Sequence, residues 1–397
     1  MSSNALDIAQ TLIRCPSVTP EEGGALDVLE TMLKGAGFTC NRLVFSDEDT
    51  PDVDNLFARI GTKAPHICFA GHTDVVPPGN ETDWTHPPFG AVVDDGWLFG
   101  RGAADMKGDI ACFVAATLDY LSKTENMLNG SISFLITGDE EGPAINGTRK
   151  VLEWMKENGH TPSHCLVGEP SCSEKLGDTL RIGRRGSLSG EITVSGVQGH
   201  TAYPHLANNP IPGLLDVLGS YLAEPLDDGS AHFAPSDLQI TAIETGNPAS
   251  NVIPAALLAR FNIRFNANHT ADGLKVILKN KVDAALEGTG LSHQISFQPA
   301  SHCFVTEPGP LVDLMAGVLT GETGITPELS TGGGTSDARF VKDYCPVIEF
   351  GLVNKTIHAV DERIEVCDLD ALTGIYRAFI ERYFDAFAAT DVAASNP

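Results

Sequence analysis

Apolar and polar positions along roughly the first 170 residues follow two rhythms. Short apolar runs at 66–70, 132–136 and 165–167 read as buried strands, and 55–60 reads as another. Segments 25–34 and 107–121 instead carry apolar residues at helical spacing. Strand alternating with helix predicts an α/β fold with a central, mostly parallel sheet covered on both faces.

Near 177–185 the composition turns to glycine and arginine, and the order of elements changes. Beyond it come a strand (188–194), a helix (209–223), two strands (238–243 and 256–264), a helix (271–286) and a strand (292–298). That β-α-β-β-α-β order is the one of a ferredoxin-like α+β unit. After Pro299 the first pattern resumes, and it closes with a helix on which Leu372, Ile375, Tyr376, Phe379, Ile380 and Tyr383 share one face. The expected domains are 1–179 and 299–397 for the α/β part and 180–298 for the insert. The small, polar stretch 387–397 is expected to fray.

Composition narrows the function. At 397 residues the chain can hold two domains, and 42% apolar with 20% charged residues suits a soluble globular protein. A formal net charge of −26 repels a phosphate backbone, which argues against a nucleic-acid partner. No run of about 18 uncharged apolar residues predicts a membrane span. Residues 1–20 show no basic stretch followed by an apolar one, so a cytoplasmic protein is expected. Nine singly spaced cysteines without a C-x-x-C pair read as small buried hydrophobes rather than a disulfide framework.

The chemistry sits where the apolar runs end. Gly71-His72-Thr73-Asp74, Asp105, Asp139-Glu140-Glu141-Gly142, Gly168-Glu169-Pro170 and His358 supply histidines and carboxylates in the mixture that a pair of metal ions requires. Singly, each has a plainer reading. His72 is one of 12 histidines, Asp105 precedes a helix as an N-cap would, and an acidic triplet suits a solvated turn. Taken together, two ions sharing Asp105 would each own one histidine and one further carboxylate. Asp74 would hold the second nitrogen of His72. One glutamate of the triplet would bind metal and leave its neighbour free as a general base. Arg181, Arg184 and Arg185 form a basic cluster able to grip an anionic substrate group. The run 331–337, Thr-Gly-Gly-Gly-Thr-Ser-Asp, could offer backbone N–H groups to a second carboxylate, and it lacks the lysine of a nucleotide-binding loop.

In these motifs, together with Gly100-Arg101-Gly102-Ala103-Ala104-Asp105-Met106-Lys107-Gly108 and Asn354-Lys355-Thr356-Ile357-His358, the chain resembles the dinuclear-zinc aminoacylase and carboxypeptidase family over nearly its whole length. The resemblance implies a zinc-exopeptidase-like catalytic domain holding two Zn(2+) ions per subunit, with cobalt as a substitute. His72, Asp105 and Glu169 would bind one ion and Asp105, Glu141 and His358 the other. Glu140 becomes the general base. The segment Gly199-His200-Thr201-Ala202-Tyr203-Pro204-His205 resembles one whose histidine reaches the partner's active site in a homodimer, so His200 would polarise the scissile carbonyl and the insert would be a dimerisation and lid domain. Arg184, Asn251, Arg264, Thr331, Gly333 and Asn354 resemble substrate contacts of the family's desuccinylating branch. The implied activity is hydrolysis of a linear amide in a small substrate bearing carboxylates. The competing branch removes acetyl groups. A metal-binding scaffold without catalysis is the remote alternative, against which stands the presence of Glu140 beside Glu141.

Overall fold

The computed structural model describes residues 4–124 and 128–387. Its main strands are, in chain order, β1 (Thr39–Asp47), β2 (Thr50–Ile60), β3 (His66–His72), β4 (Ser131–Thr137), β5 (His164–Val167) and β6 (Thr179–Arg181). There follow β7 (Gly186–Ser195), β8 (Asp237–Glu244), β9 (Ala256–Phe265), β10 (Ser292–Phe297), β11 (Glu328–Ser330) and β12 (Val347–Glu349). The chain divides into two compact units, one from 1–182, 306–330 and 336–397 and the other from 183–305 with 331–335.

The first unit is built on an eight-stranded sheet in the order β1-β2-β4-β3-β5-β12-β6-β11. Its centre, β4-β3-β5-β12, is parallel, as the near-continuous apolar runs of these strands demand. Register shows how both faces are covered. Phe69 pairs with Phe134, which pairs with Ala58, so these side chains share a face and Phe57 lies on the other. On one face Phe69 stacks on Phe113 of the helix Gly108–Lys123, ring centroids 4.3 Å apart, and Tyr376 of the last helix packs edge-on against both. On the opposite face Phe57 meets Trp154 of the helix Thr148–Glu157.

The second unit is a four-stranded antiparallel sheet in the order β8-β9-β7-β10, with two helices packed on it. That order is the ferredoxin-like one. Leu188, Ile192, Phe261, Ile263, Leu274 and Leu278 belong to its core. Local chemistry fixes the helix starts. Asn209 caps Pro210–Leu222 by accepting from the Ile211 amide at 3.1 Å, with proline at the first helical position, and Thr270 caps Ala271–Leu286 through Gly273 at 3.1 Å.

Three expectations shift. The hairpin partner β1 escapes the pattern because it is a half-exposed edge strand without clean alternation. The helix anticipated over 107–121 runs Gly108–Lys123, since Asp105 and Met106 have non-helical backbones. Phe387, placed in the fraying tail, ends the last helix buried against His164, centroids 4.4 Å apart, whereas 388–397 lie outside the described residues. All nine cysteines are free, and Cys68, Cys112, Cys165, Cys172 and Cys345 are buried. No helix among the described residues is long and apolar enough to cross a membrane.

Candidate metal centre and active site

Parallel strands in an open sheet end at one edge, and loops leaving that edge converge. His72 is the last residue of β3, Asp139 to Glu141 follow β4, and Glu169 follows β5. His358 lies in the loop after β12. Asp105 sits on the turn before the helix Gly108–Lys123, joined to Met106 by a cis peptide bond. The helix draws no side-chain cap from this turn, so Asp105 is not the N-cap that its position suggested.

These residues form two groups that share Asp105: His72, Asp105 and Glu169, and Asp105, Glu141 and His358. Within each group one candidate ligand atom per residue lies within 4.8 Å of the others. His72 Nε2 is 3.1 Å from Asp105 Oδ1 and 3.8 Å from Glu169 Oε1. His358 Nε2 is 2.8 Å from Glu141 Oε1 and 3.4 Å from Asp105 Oδ2. Each histidine thus faces a different oxygen of one carboxylate.

A cation fits this arrangement. His72 Nδ1 lies 2.8 Å from the backbone oxygen of Asp74, which can only accept, so Nδ1 carries the proton of the neutral ring. Nε2 is then a lone pair aimed at carboxylate oxygens, a repulsion that a proton or a metal ion must relieve. The electrostatics say the same. Against the cost of burial, Asp105, Asp74 and Glu140 hold His72 well above the ordinary imidazole range. Asp105 and Glu141 push His358 up to about 10. Asp105 is held low in spite of burial by the two imidazoles. Burial and the Glu169 carboxylate drive Glu140 well above the usual carboxylate range. Divalent ions would replace the protons that these histidines otherwise keep.

The acidic triplet divides its work. Asp139 Oδ2 accepts from the amides of Ile145 at 2.8 Å and Asn146 at 2.9 Å, closing the loop and leaving Glu140 and Glu141 for the site. The fully buried Asp74 contributes differently from its expected role. Its carboxylate is 3.6 Å from His72 Nδ1 and instead accepts the amides of Glu140 at 3.3 Å and Glu141 at 3.0 Å. The imidazole is held by the main chain of Asp74, and the side chain holds the glutamate turn. Burial raises Asp74 to about 6.

Asn354 belongs to the same unit and donates its amide to Cys172 O at 2.9 Å. Arg181, also there, is buried at the end of β6. The second unit carries the other predicted contacts. Arg184 is buried and donates to Gly334 O at 3.0 Å. Thr331 bonds His232 O at 2.5 Å, and Gly333 takes a φ of 92°, in the left-handed region that favours glycine. Asn251 is exposed, its carbonyl accepting from Thr201 N at 3.1 Å. Burial and the nearby Arg185 guanidinium hold Arg264 below the usual arginine range, so an anion would relieve a like-charge contact. His200 is exposed, and its Nδ1 accepts from Ala202 N at 3.0 Å, which leaves Nε2–H free to donate.

Arg101, Asp109 and Glu362 were missed. Arg101 and Glu362 form a buried ion pair at 2.7 Å, and buried Asp109 accepts from Leu352 N at 2.8 Å. In the sequence they look like ordinary charges beside glycines or in a polar loop; only the glycines flanking Arg101 hint at close packing.

A model of peptidase family M20/M25/M40 matches residues 68–382. The chain belongs to this family. Among its relatives, the succinyl-diaminopimelate desuccinylase of Rhodopseudomonas palustris is 58% identical over 96% of this chain and 98% of its own. That of Methylorubrum populi is 56% identical over 96% and 98%. Solved structures share the fold. Aminopeptidase PepT of Bacillus cereus superposes with a TM-score of 0.77 at 20% identity, covering 95% of this chain and 97% of its own. The YXEP protein of Bacillus subtilis, described as a dinuclear metal binding peptidase of the M20 family, gives 0.70 at 16% identity over 96% and 98%.

Proposed function

We propose that this M20-family protein hydrolyses the amide of N-succinyl-L,L-diaminopimelate to succinate and L,L-diaminopimelate, in lysine and diaminopimelate biosynthesis. The observation that carries this reading is the 58% identity, over almost the full length of both chains, to a relative bearing the name of that activity. His72, Asp105 and Glu169 would hold one zinc ion, and Asp105, Glu141 and His358 a second, with cobalt able to substitute. Bound there, the pair supplies Lewis acidity to water and to the scissile carbonyl.

Glu140 is the general base. Its neighbour Glu141 is committed to His358 and Asp105, while Glu140 is held by its main chain and keeps its carboxylate for proton transfer. It takes a proton from the attacking water and returns it to the departing amine nitrogen. The water oxygen adds to the carbonyl carbon, and the C–N bond breaks only when the resulting tetrahedral species collapses and the amine leaves with that proton. His200 donates its Nε2–H to the oxyanion that forms in between. Asp74 keeps the glutamate turn in place. Arg184 and Arg264 bind substrate carboxylates, and Asn251, Thr331, Gly333 and Asn354 add polar contacts. A guanidinium left without its carboxylate costs binding energy, which disfavours acetylated substrates. The protein acts as a cytoplasmic homodimer, with the second unit as its dimerisation and lid domain.

Initial rates of the zinc-loaded protein on N-succinyl-L,L-diaminopimelate and N-acetylornithine test the assignment. A succinyl preference supports it. An acetyl preference moves the protein to the deacetylating branch, and no rate on either contradicts the substrate reading.

A further inference from the structure

Beneath the proposed metal ligands lies a buried carboxylate that none of the chemistry above uses. Glu362 is fully buried, and both of its oxygens are engaged. Oε2 accepts from Arg101 Nη1 at 2.7 Å and from the Gly102 amide at 3.0 Å. Oε1 accepts from the amides of Ala104 at 2.9 Å and Asp105 at 3.1 Å. Three of these four donors are consecutive or near-consecutive backbone N–H groups of the turn that presents Asp105. That turn is non-helical at Asp105, with φ −128° and ψ 93°, so no helix ladder satisfies its amides. The Glu362 carboxylate does so instead.

The same pair reaches the opposite ligand. Arg101 Nη2 donates to the carbonyl of His358 at 3.5 Å, and the Gly100 amide donates to the carbonyl of Glu362 at 2.9 Å. His358 has a φ of 59°, a left-handed conformation that a non-glycine residue keeps only when its surroundings hold it there. The Arg101 guanidinium is itself fixed, 5.2 Å above the Trp84 ring. The turn carrying Asp105 and the loop carrying His358 are therefore tied by one buried ion pair. His72, by contrast, is the last residue of β3, and Glu169 follows β5.

Building on the two-metal reading, we infer that Glu362 and Arg101 are positioning residues that set the separation of Asp105 and His358, and so govern occupancy of the ion position formed by Asp105, Glu141 and His358. Their loss weakens that position most, because it takes both Asp105 and His358, whereas the other takes only Asp105 of the two and keeps His72 at the end of β3 and Glu169 just after β5. Partners that orient metal ligands typically contribute about 10–100-fold in metal affinity.

The test is equilibrium dialysis of the metal-free full chain against zinc, for the parent, Glu362→Gln and Arg101→Lys, with the bound ion counted per chain. The parent takes up two ions. In Glu362→Gln one ion binds within about threefold of the parent and the other is weakened about tenfold or more. Arg101→Lys keeps the ion pair but loses the arm to His358, and shows the same selective loss to a smaller degree. It also covers the case in which Glu362→Gln does not fold. Equal weakening of both ions, or parent affinities in both variants, overturns the inference and makes the pair a purely structural brace. A parent that binds fewer than two ions overturns the two-metal reading itself, whatever the variants do.

Discussion

Replacing Asp74 by asparagine isolates the support of the glutamate turn from the ligands themselves. The Asp74 carboxylate is fully buried, and its two oxygens take the Glu140 and Glu141 amides at 3.3 and 3.0 Å. Asparagine offers one oxygen and one NH2 group. One amide keeps its acceptor, and the other then faces a donor. Losing one hydrogen bond to a charged group in a buried site costs about 1.5–3 kcal/mol. If that cost is expressed as misplacement of Glu140, turnover falls about 10–100-fold, since about 1.4 kcal/mol is a factor of ten. The His72 ring is spared, because its Nδ1 partner is the main-chain oxygen of Asp74 at 2.8 Å, which the substitution leaves in place. The expected pattern for Asp74→Asn is a lower kcat, a KM within a few-fold of the parent, and retained zinc. Steady-state kinetics with metal analysis of the same preparation read all three. A kcat within twofold of the parent refutes the reasoning, and loss of the metals would show that the carboxylate serves His72 after all.

Further outcomes follow from other parts of the molecule. Glu140→Gln is expected to keep both metals and lose nearly all turnover, and normal turnover in that variant removes Glu140 as the base. His200→Ala should lower kcat and leave the proposed dimer intact by sedimentation, whereas an unchanged rate excludes it from oxyanion stabilisation. Buried His66, bonded to Ser133 Oγ at 2.7 Å, is lowered by burial from 6.5 to about 3. Between those values the unfolded chain binds a proton that the folded chain refuses, so acidification costs about 1.4 kcal/mol of stability per pH unit from this group. In urea melts of the metal-free protein at pH 7 and pH 5, His66→Gln should therefore lose about 2 kcal/mol less than the parent. An equal loss in both contradicts the assignment.

Much of this architecture was legible in the chain because its signals are local. The central strands β3, β4 and β5 are apolar-rich and buried on both faces, and the helices Pro210–Leu222 and Ala271–Leu286 carry their own caps, so pattern and capping chemistry located them. The edge strand β1 carried no such signal, being half-exposed on both sides. At the site, His72, Glu141 and Glu169 each stand beside a glycine at or soon after a strand, whereas Asp105 and His358 do not and are nominated by the longer motifs that hold them. What the sequence withheld is relational. That Asp74 supports the glutamate turn with its side chain and His72 with its main chain depends on how the loops after β3 and β4 lie against each other. The buried Arg101–Glu362 pair joins residues 261 positions apart, and no local pattern distinguishes Glu362 from the half-buried Asp361 beside it.

The most direct test of the central claim is to follow bound zinc and the rate on N-succinyl-L,L-diaminopimelate in one preparation, through chelation and stepwise return of the metal. The account predicts that activity disappears as the metal is withdrawn and returns as zinc is restored to two equivalents per chain. A full rate in protein stripped of metal would contradict it.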